Sequence, residues 1–279
     1  MKVPAFNDRV ERKYQIAIHE SEVAELWREL TRLLKPFGLD PVQRITSVGS
    51  VYFDNRDCDL LRFSLLGHLM IFRTRAYEAF GRVPEPITKY WVEVKTAQGI
   101  RRKKKRFPLT KSELINFLSR EYFDERSSNG ISPPVQSKID PELYRESRET
   151  LLTMGLYPIL LVTCKRVAFQ GPADRLSIDW DVQYYPATAD VYDCSSWKYL
   201  TEPAAGRAGK VILEVKSLAG DRMPPWLSEI QRRYPIRERE YLKPVEGMGF
   251  LFKGPLRDHT QADYFIPRID AYMSNSLLG

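Results

Sequence analysis

Cysteine and histidine are scarce in this chain of 279 residues, with three of each. Cys58, Cys164 and Cys194 are odd in number and widely spaced, so they form neither a disulfide framework nor a C-x-x-C metal motif. A reducing compartment fits that usage. His19, His68 and His259 are equally scattered. Zinc–histidine or Ser-His-Asp chemistry would have to be assembled from very few parts, and all six side chains read as packing or surface residues. Long apolar runs are also missing: none approaches the roughly 20 residues needed to span a bilayer. The opening MKVPAFNDRVERKYQ lacks the apolar stretch of a secretory signal. The expectation is a soluble, cytoplasmic protein with no membrane segment of its own.

What is present is a core and an excess of positive charge. Hydrophobic residues make up 43% of the chain, enough for a sizeable core and against wholesale disorder. The formal charge of +7 points to an anionic partner, whether nucleic acid, anionic lipid or a phosphorylated small molecule.

The hydrophobic pattern predicts many strands with helices inserted between them. Strands are expected over 9–18, 44–53, 69–77, 88–96, 101–107, 158–170, 174–184 and 209–218. A short helical turn is expected near 57–66. Helical spacing of Val23, Leu26, Trp27, Leu30, Leu33 and Leu34 marks 21–34, with Ser21 as its N-cap and Pro36 and Gly38 as its stop. The T-x-x-E of TKSELINFL opens a helix at 110–118. Further helices are expected at 141–154 and 223–234, and the Ser-, Asn-, Gly- and Pro-rich 124–137 reads as a loop. Regular βαβ units are few, so the fold class is α+β with a largely antiparallel sheet, in one domain over 1–279 with a core at about 9–250 and a tail at 251–279.

The charges on the strands carry the functional signal. WVEVKT places Glu93 and Lys95 on one face and Val92 and Val94 on the other. VILEVKS repeats this with Glu214 and Lys216, and VERKY with Glu11 and Lys13. IFRTRAY pairs Arg73 with Arg75, KKKRF pairs Lys104 with Arg106, and Arg166 and Arg175 open two more strands. A half-buried sheet with a polar face in water explains any one of these. It explains the series less well, because neighbouring basic residues would repel unless an anion lay between them. The alternative is a sheet curled into a closed antiparallel β-barrel, charged faces inward and helices packed outside, that takes up a polyanion. The embedded carboxylates would then hold a divalent cation.

RVERKYQI, SVYFDN, FRTRAYE, WVEVKT, KKKRFPL, CKRVAF, RLSIDWDV and VILEVKS follow one another in the order of the VTC (vacuolar transporter chaperone) domain. The chain resembles that family, the polyphosphate polymerase domain among the triphosphate tunnel metalloenzymes or CYTH-like proteins, from about residue 9 to about 250. The resemblance implies a tunnel of antiparallel strands, Mn²⁺ or Mg²⁺ as cofactor, and transfer of the γ-phosphate of ATP to a polyphosphate chain. It matches Lys13, Arg73, Arg75, Lys95, Lys104, Arg166 and Arg175 to the family's catalytic cations, and Glu214 to its metal-binding glutamate, with Glu11 and Glu93 as further metal candidates. Lys216, Arg106 and Lys243 are expected to add substrate contacts.

Three positions depart from the family pattern. Arg9 replaces the first glutamate of the superfamily's E-x-E-x-K, which weakens a hydrolytic reading, and Cys164 replaces a tyrosine. Glu240 stands at the expected place of the lysine of S-K-Y, where a carboxylate would repel phosphate unless Arg239 or Lys243 substitutes. The expected ligands are therefore ATP, polyphosphate or another phosphorylated anion. A non-catalytic binding module and a tripolyphosphate or nucleotide hydrolase are the alternatives. Nucleic acid ranks last, because RRKKKR lacks interleaved aromatics. The sequence is silent on a separate membrane partner.

Overall fold

The computed structural model describes residues 10–42, 45–79, 87–98, 101–119, 139–197, 200, 203–218 and 223–278. Arg9 and the loop expected at 124–137 lie outside them. Eleven strands join into one sheet: β1 (Val10–Ile16), β2 (Asp40–Pro41), β3 (Thr46–Asp54), β4 (Met70–Ala79), β5 (Tyr90–Gln98), β6 (Arg101–Leu109), β7 (Tyr157–Gln170), β8 (Asp174–Pro186), β9 (Gly206–Arg207), β10 (Val211–Ser217) and β11 (Ile236–Glu238). The order is β11-β1-β10-β8-β7-β3-β4-β5-β6, and every pairing among the described residues is antiparallel. The helices are α1 (Val23–Leu34), α2 (Asp59–Leu65), α3 (Lys111–Leu118), α4 (Pro141–Thr153), α5 (Pro225–Arg233), α6 (Lys243–Phe252) and α7 (Ala262–Leu278).

The α+β architecture is as expected, but the closed barrel is not. Among the described residues the hydrogen-bonded ladder ends at β11 on one side and β6 on the other. The reason lies in the two edges. β11 is only three residues long, and β6 turns exposed Lys103 and Lys105 to solvent. A short strand and a like-charged edge both oppose further pairing. The sheet nonetheless curls, since Lys95 on β5 and Glu11 on β1 interact electrostatically although far apart in strand order.

The apolar residues divide into three clusters. On the outer face of β3–β6, Val51, Phe72, Val92 and Phe107 pack under α3 and α4. There Phe107, Phe117 and Tyr144 meet with ring centroids 5.1–5.7 Å apart. On the outer face of β1, β10, β8 and β7, Tyr14, Leu213, Ile178 and Phe169 pack under Leu26, Leu30 and Leu34 of α1 and Trp226, Leu227 and Ile230 of α5. The third cluster lies on the inner face. Val48, Tyr52, Ile71, Leu160, Val162 and Cys164 are covered by Val245, Met248, Leu251 and Phe252 of α6 and by α7. Gly247 permits this approach: a Cβ there would stand 2.7 Å from both Leu160 and Tyr184.

Helix ends follow local chemistry, with one correction. Thr110 and Glu113 form the expected capping box of α3. Ser21 is not the cap of α1. The His19 ring accepts from the Ser21 amide, and Glu22 accepts from the His19 amide, so one 3-10 turn at Glu20–Glu22 precedes α1. Gly38 closes the helix at φ 70°, where a side chain would be strained. No helix among the described residues is long and apolar enough to cross a membrane.

Candidate active site

Strand register decides which charges share the inner face. Across the sheet, Tyr52 faces Arg73, Arg73 faces Glu93, and Glu93 faces Arg106. Lys95 stands opposite Lys104, Ser50 opposite Arg75, and Arg166 opposite Asp179. Arg175 stands opposite Lys216, Lys216 opposite Glu11, and Glu214 opposite Lys13. Alternation along each strand therefore lines one surface with the cations expected from the sequence.

Glu93 is the hub of one wall. It is fully buried and accepts from Arg73 Nε at 2.8 Å and Nη2 at 2.6 Å on a single oxygen, Oε2. Lys104 Nζ lies 3.0 Å from Oε1 and Arg106 Nη1 4.0 Å from it. Arg73 also donates to Tyr52 Oη at 3.0 Å, and Arg75 donates to Ser50 Oγ at 2.9 Å. Burial alone would raise the Glu93 carboxyl, but Arg73, then Arg75, Lys104 and Lys95, hold it well below the usual carboxylate range. Lys95 is pushed down as well. Burial, reinforced by Arg73, lowers its ammonium well below the ordinary value against the pull of Glu11 and Glu93. One carboxylate thus serves a group of cations that exceeds it, with Oε2 taken by Arg73 and Oε1 facing Lys104.

A second cluster is tightly paired. Asp179 accepts from Arg166 Nε at 2.5 Å and Nη2 at 2.6 Å, and from Lys243 Nζ at 2.6 Å. Burial would raise this carboxyl too, yet Arg166 and Lys243 keep it far below the ordinary range. Lys243 Nζ also reaches Cys164 Sγ at 3.2 Å. Lys243 enters from the first position of α6, so a residue remote in sequence completes the inner face.

The third cluster holds the two remaining carboxylates. Glu11 and Glu214 are diagonal neighbours on β1 and β10, and the Lys216 ammonium pairs with both, 3.6 Å from Glu11 Oε2. Lys13 Nζ lies 3.8 Å from Glu11 Oε1 and donates to the Tyr241 carbonyl at 2.6 Å. Lys216 therefore bridges carboxylates here, where a substrate contact was expected. Glu11, Glu93 and Glu214 do not gather into one site, and no group of three or more His, Cys, Asp or Glu suited to a metal occurs among the described residues. The Glu11–Glu214 pair does fit half of a magnesium or manganese site. Such ions take one or two carboxylates, with phosphate oxygens and water completing the shell, and both of these already converge on one cation.

Glu240 is exposed. Its neighbour Arg239 continues the strand pairing, its amide donating to the Lys13 carbonyl at 2.8 Å. Pairing puts Arg239 on the inner side with Lys13, and Glu240, beyond the end of β11, lines a groove with Arg62, Tyr264 and Arg268. The lysine found inside is Lys243.

The VTC domain family matches residues 8–251. The chain belongs to the VTC domain family. This VTC domain is 24% identical over 285 aligned positions to the vacuolar transporter chaperone complex subunit 4 of Schizosaccharomyces pombe, covering 91% of this chain and 38% of that protein. The chain thus spans well under half of that relative's length. Among solved structures, a candidate adenylyl cyclase from Hippeastrum, reported with a dominant triphosphatase activity, is 11% identical with a TM-score of 0.46 over 86% of this chain and 95% of its own. The Mimivirus capping enzyme triphosphatase is 12% identical with a TM-score of 0.37 over 82% and 88%.

Two functional features of this VTC domain escape sequence reading. Asp179, the anchor of both Arg166 and Lys243, shares a face with Arg175 and Ser177 in RLSIDWD, so its placement was visible but its partners were not. Tyr52 of SVYFDN packs beneath α6 and also accepts a hydrogen bond from Arg73 on the inner face.

Proposed function

We propose that this VTC domain is a polyphosphate polymerase-like phosphotransferase that moves the γ-phosphate of ATP to a polyphosphate chain. The observation that carries the reading is the imbalance around Glu93, where Arg73, Arg75, Lys95, Lys104 and Arg106 converge on one carboxylate. Such a surface is complete only with an anion of several charges lying along it. The family membership and the relative in a vacuolar transporter chaperone complex favour polyphosphate as that anion.

In this reading Arg73, Arg75, Lys95, Lys104 and Arg166 hold the phosphates of ATP in extended form, with Lys13, Arg175 and Lys243 further along the inner face. Arginine forks grip pairs of phosphate oxygens, and lysines act as point charges. A terminal phosphate oxygen of the acceptor chain is the nucleophile, so the protein needs no covalent nucleophile and contributes positioning and charge neutralisation. Glu11 and Glu214 would hold Mn²⁺ or Mg²⁺, which supplies charge neutralisation on the phosphate oxygens. Partners beyond ATP and polyphosphate, including a separate membrane protein, belong to the same proposal.

The test is incubation of the protein with ATP and Mn²⁺, with products separated on a polyacrylamide gel and stained for polyphosphate. Long-chain product with release of ADP is expected. Free phosphate without polymer selects a hydrolase. Tight polyphosphate binding with no nucleotide turnover selects a binding module.

A further inference from the structure

Behind the inner face lies a buried polar cluster. Glu246, in the first turn of α6, is buried among apolar neighbours. It accepts a hydrogen bond from Tyr184 Oη and an ion pair from Lys210 Nζ at 2.6 Å. Tyr184 Oη lies 2.9 Å from Tyr241 Oη. The Lys210 ammonium also stands 5.0 Å from the centre of the Tyr241 ring. Burial pushes both phenols well above the ordinary tyrosine value, reinforced for each by Glu246, so both stay protonated and keep donating.

The cluster grips Tyr241 by its hydroxyl and by its ring face. The Tyr241 carbonyl holds the Lys13 ammonium at 2.6 Å, and two residues later Lys243 reaches Asp179. A strap of three residues, Tyr241 to Lys243, therefore fixes two inner-face cations that come from opposite ends of the chain. Buried networks of this kind are rigid when every member is satisfied.

We propose that Glu246, Tyr184, Tyr241 and Lys210 form a positioning device that fixes Lys13 and Lys243 for phosphate binding through the Tyr241–Lys243 strap. These residues act through the two lysines and do not touch substrate. The inference rests on the phosphate-binding reading given above, and its test separates the two.

The first measurement is limited acetylation of the full chain with acetic anhydride, read as the rate at Lys13 by peptide mass spectrometry. Tyr184→Phe removes one hydroxyl and preserves the fold, so it accompanies Glu246→Gln. Both should raise Lys13 labelling severalfold while leaving exposed Lys35 unchanged. The second is calorimetric titration with tripolyphosphate in a double-mutant cycle. Tyr184→Phe should weaken binding by about tenfold in the parent, and by much less in a Lys13→Met background, because interacting positions are not additive.

Unchanged Lys13 labelling, or equal losses in both backgrounds, overturns the proposal and leaves the cluster as support for the fold alone. If the parent binds no tripolyphosphate, the phosphate reading falls, and the positioning of Lys13 still stands or falls on the labelling.

Discussion

Two walls of the inner face handle charge in opposite ways. On β4, β5 and β6 one buried inward-facing carboxylate, Glu93, is outnumbered by the cations around it. On β1 and β10 carboxylate and ammonium alternate, with Lys216 between Glu11 and Glu214 and Lys13 beside Glu11. The first wall carries an excess of positive charge, whereas in the second the carboxylates and ammoniums balance. Under the proposed function, placing both on one sheet would separate the gripping of phosphate from the holding of a metal, and Lys95 and Glu11 are where the two walls come within range of each other.

The largest effect should come from the outnumbered carboxylate. Glu93→Gln leaves buried cations without their counter-charge and should cost about 3–5 kcal/mol in urea unfolding at neutral pH. Asp179→Asn should cost a similar amount, and tripolyphosphate should restore Glu93→Gln more than Asp179→Asn. Equal rescue would erase the distinction between a cation-rich wall and a paired cluster. The pH dependence follows from the depressed carboxyls of Glu93 and Asp179. Such groups add stability above their unfolded value of about 4 and lose it as the pH falls towards the native value. The gap between parent and variant should therefore narrow below about pH 4, read from urea midpoints.

Arg75→Met should separate binding from stability. Arg75 donates to Ser50, and no carboxylate lies within ion-pair range of it among the described residues. Its loss should weaken tripolyphosphate binding about 10- to 100-fold while the urea midpoint moves less than in Glu93→Gln. A parallel loss of stability would mean that Arg75 serves the fold. Glu214→Gln belongs to the neutral wall, and should raise the Mn²⁺ needed for half-maximal activity about tenfold with ATP saturation unchanged. The smallest effect is expected at Glu240, which is exposed. Glu240→Lys should alter activity by about twofold or less. A large gain would put that position among the phosphate contacts after all.

The strands were legible because their charges and apolar residues alternate with period 2. That is why VERKY, FRTRAY, WVEVKT and VILEVKS could be placed on common faces before any register was known. The open ladder was not legible, since closure depends on whether β6 and β11 meet, and no local pattern encodes that. The last third of the site was hidden for a related reason. α6 combines Pro244 with Gly247 and Gly249, residues that weaken a helical pattern, and Gly247 is there for contact with Leu160 and Tyr184 rather than for propensity. Lys243 could be named from sequence as a substitute, but its partner Asp179 is 64 residues away in the chain. Helix α1 shows the same limit on a smaller scale, because its start is set by a histidine ring and not by the serine that propensity favours.

Lys216 has a consequence for how such a chain can be made and stored. Two neighbouring carboxylates would ordinarily push each other apart until a divalent ion arrived. With an ammonium built in between them, the strands can pair during folding in a medium free of metal. Under the proposed function, divalent ions would then be visitors that come and go with their phosphate ligands. A chelator should strip such a protein of its ion and leave its circular dichroism unaltered.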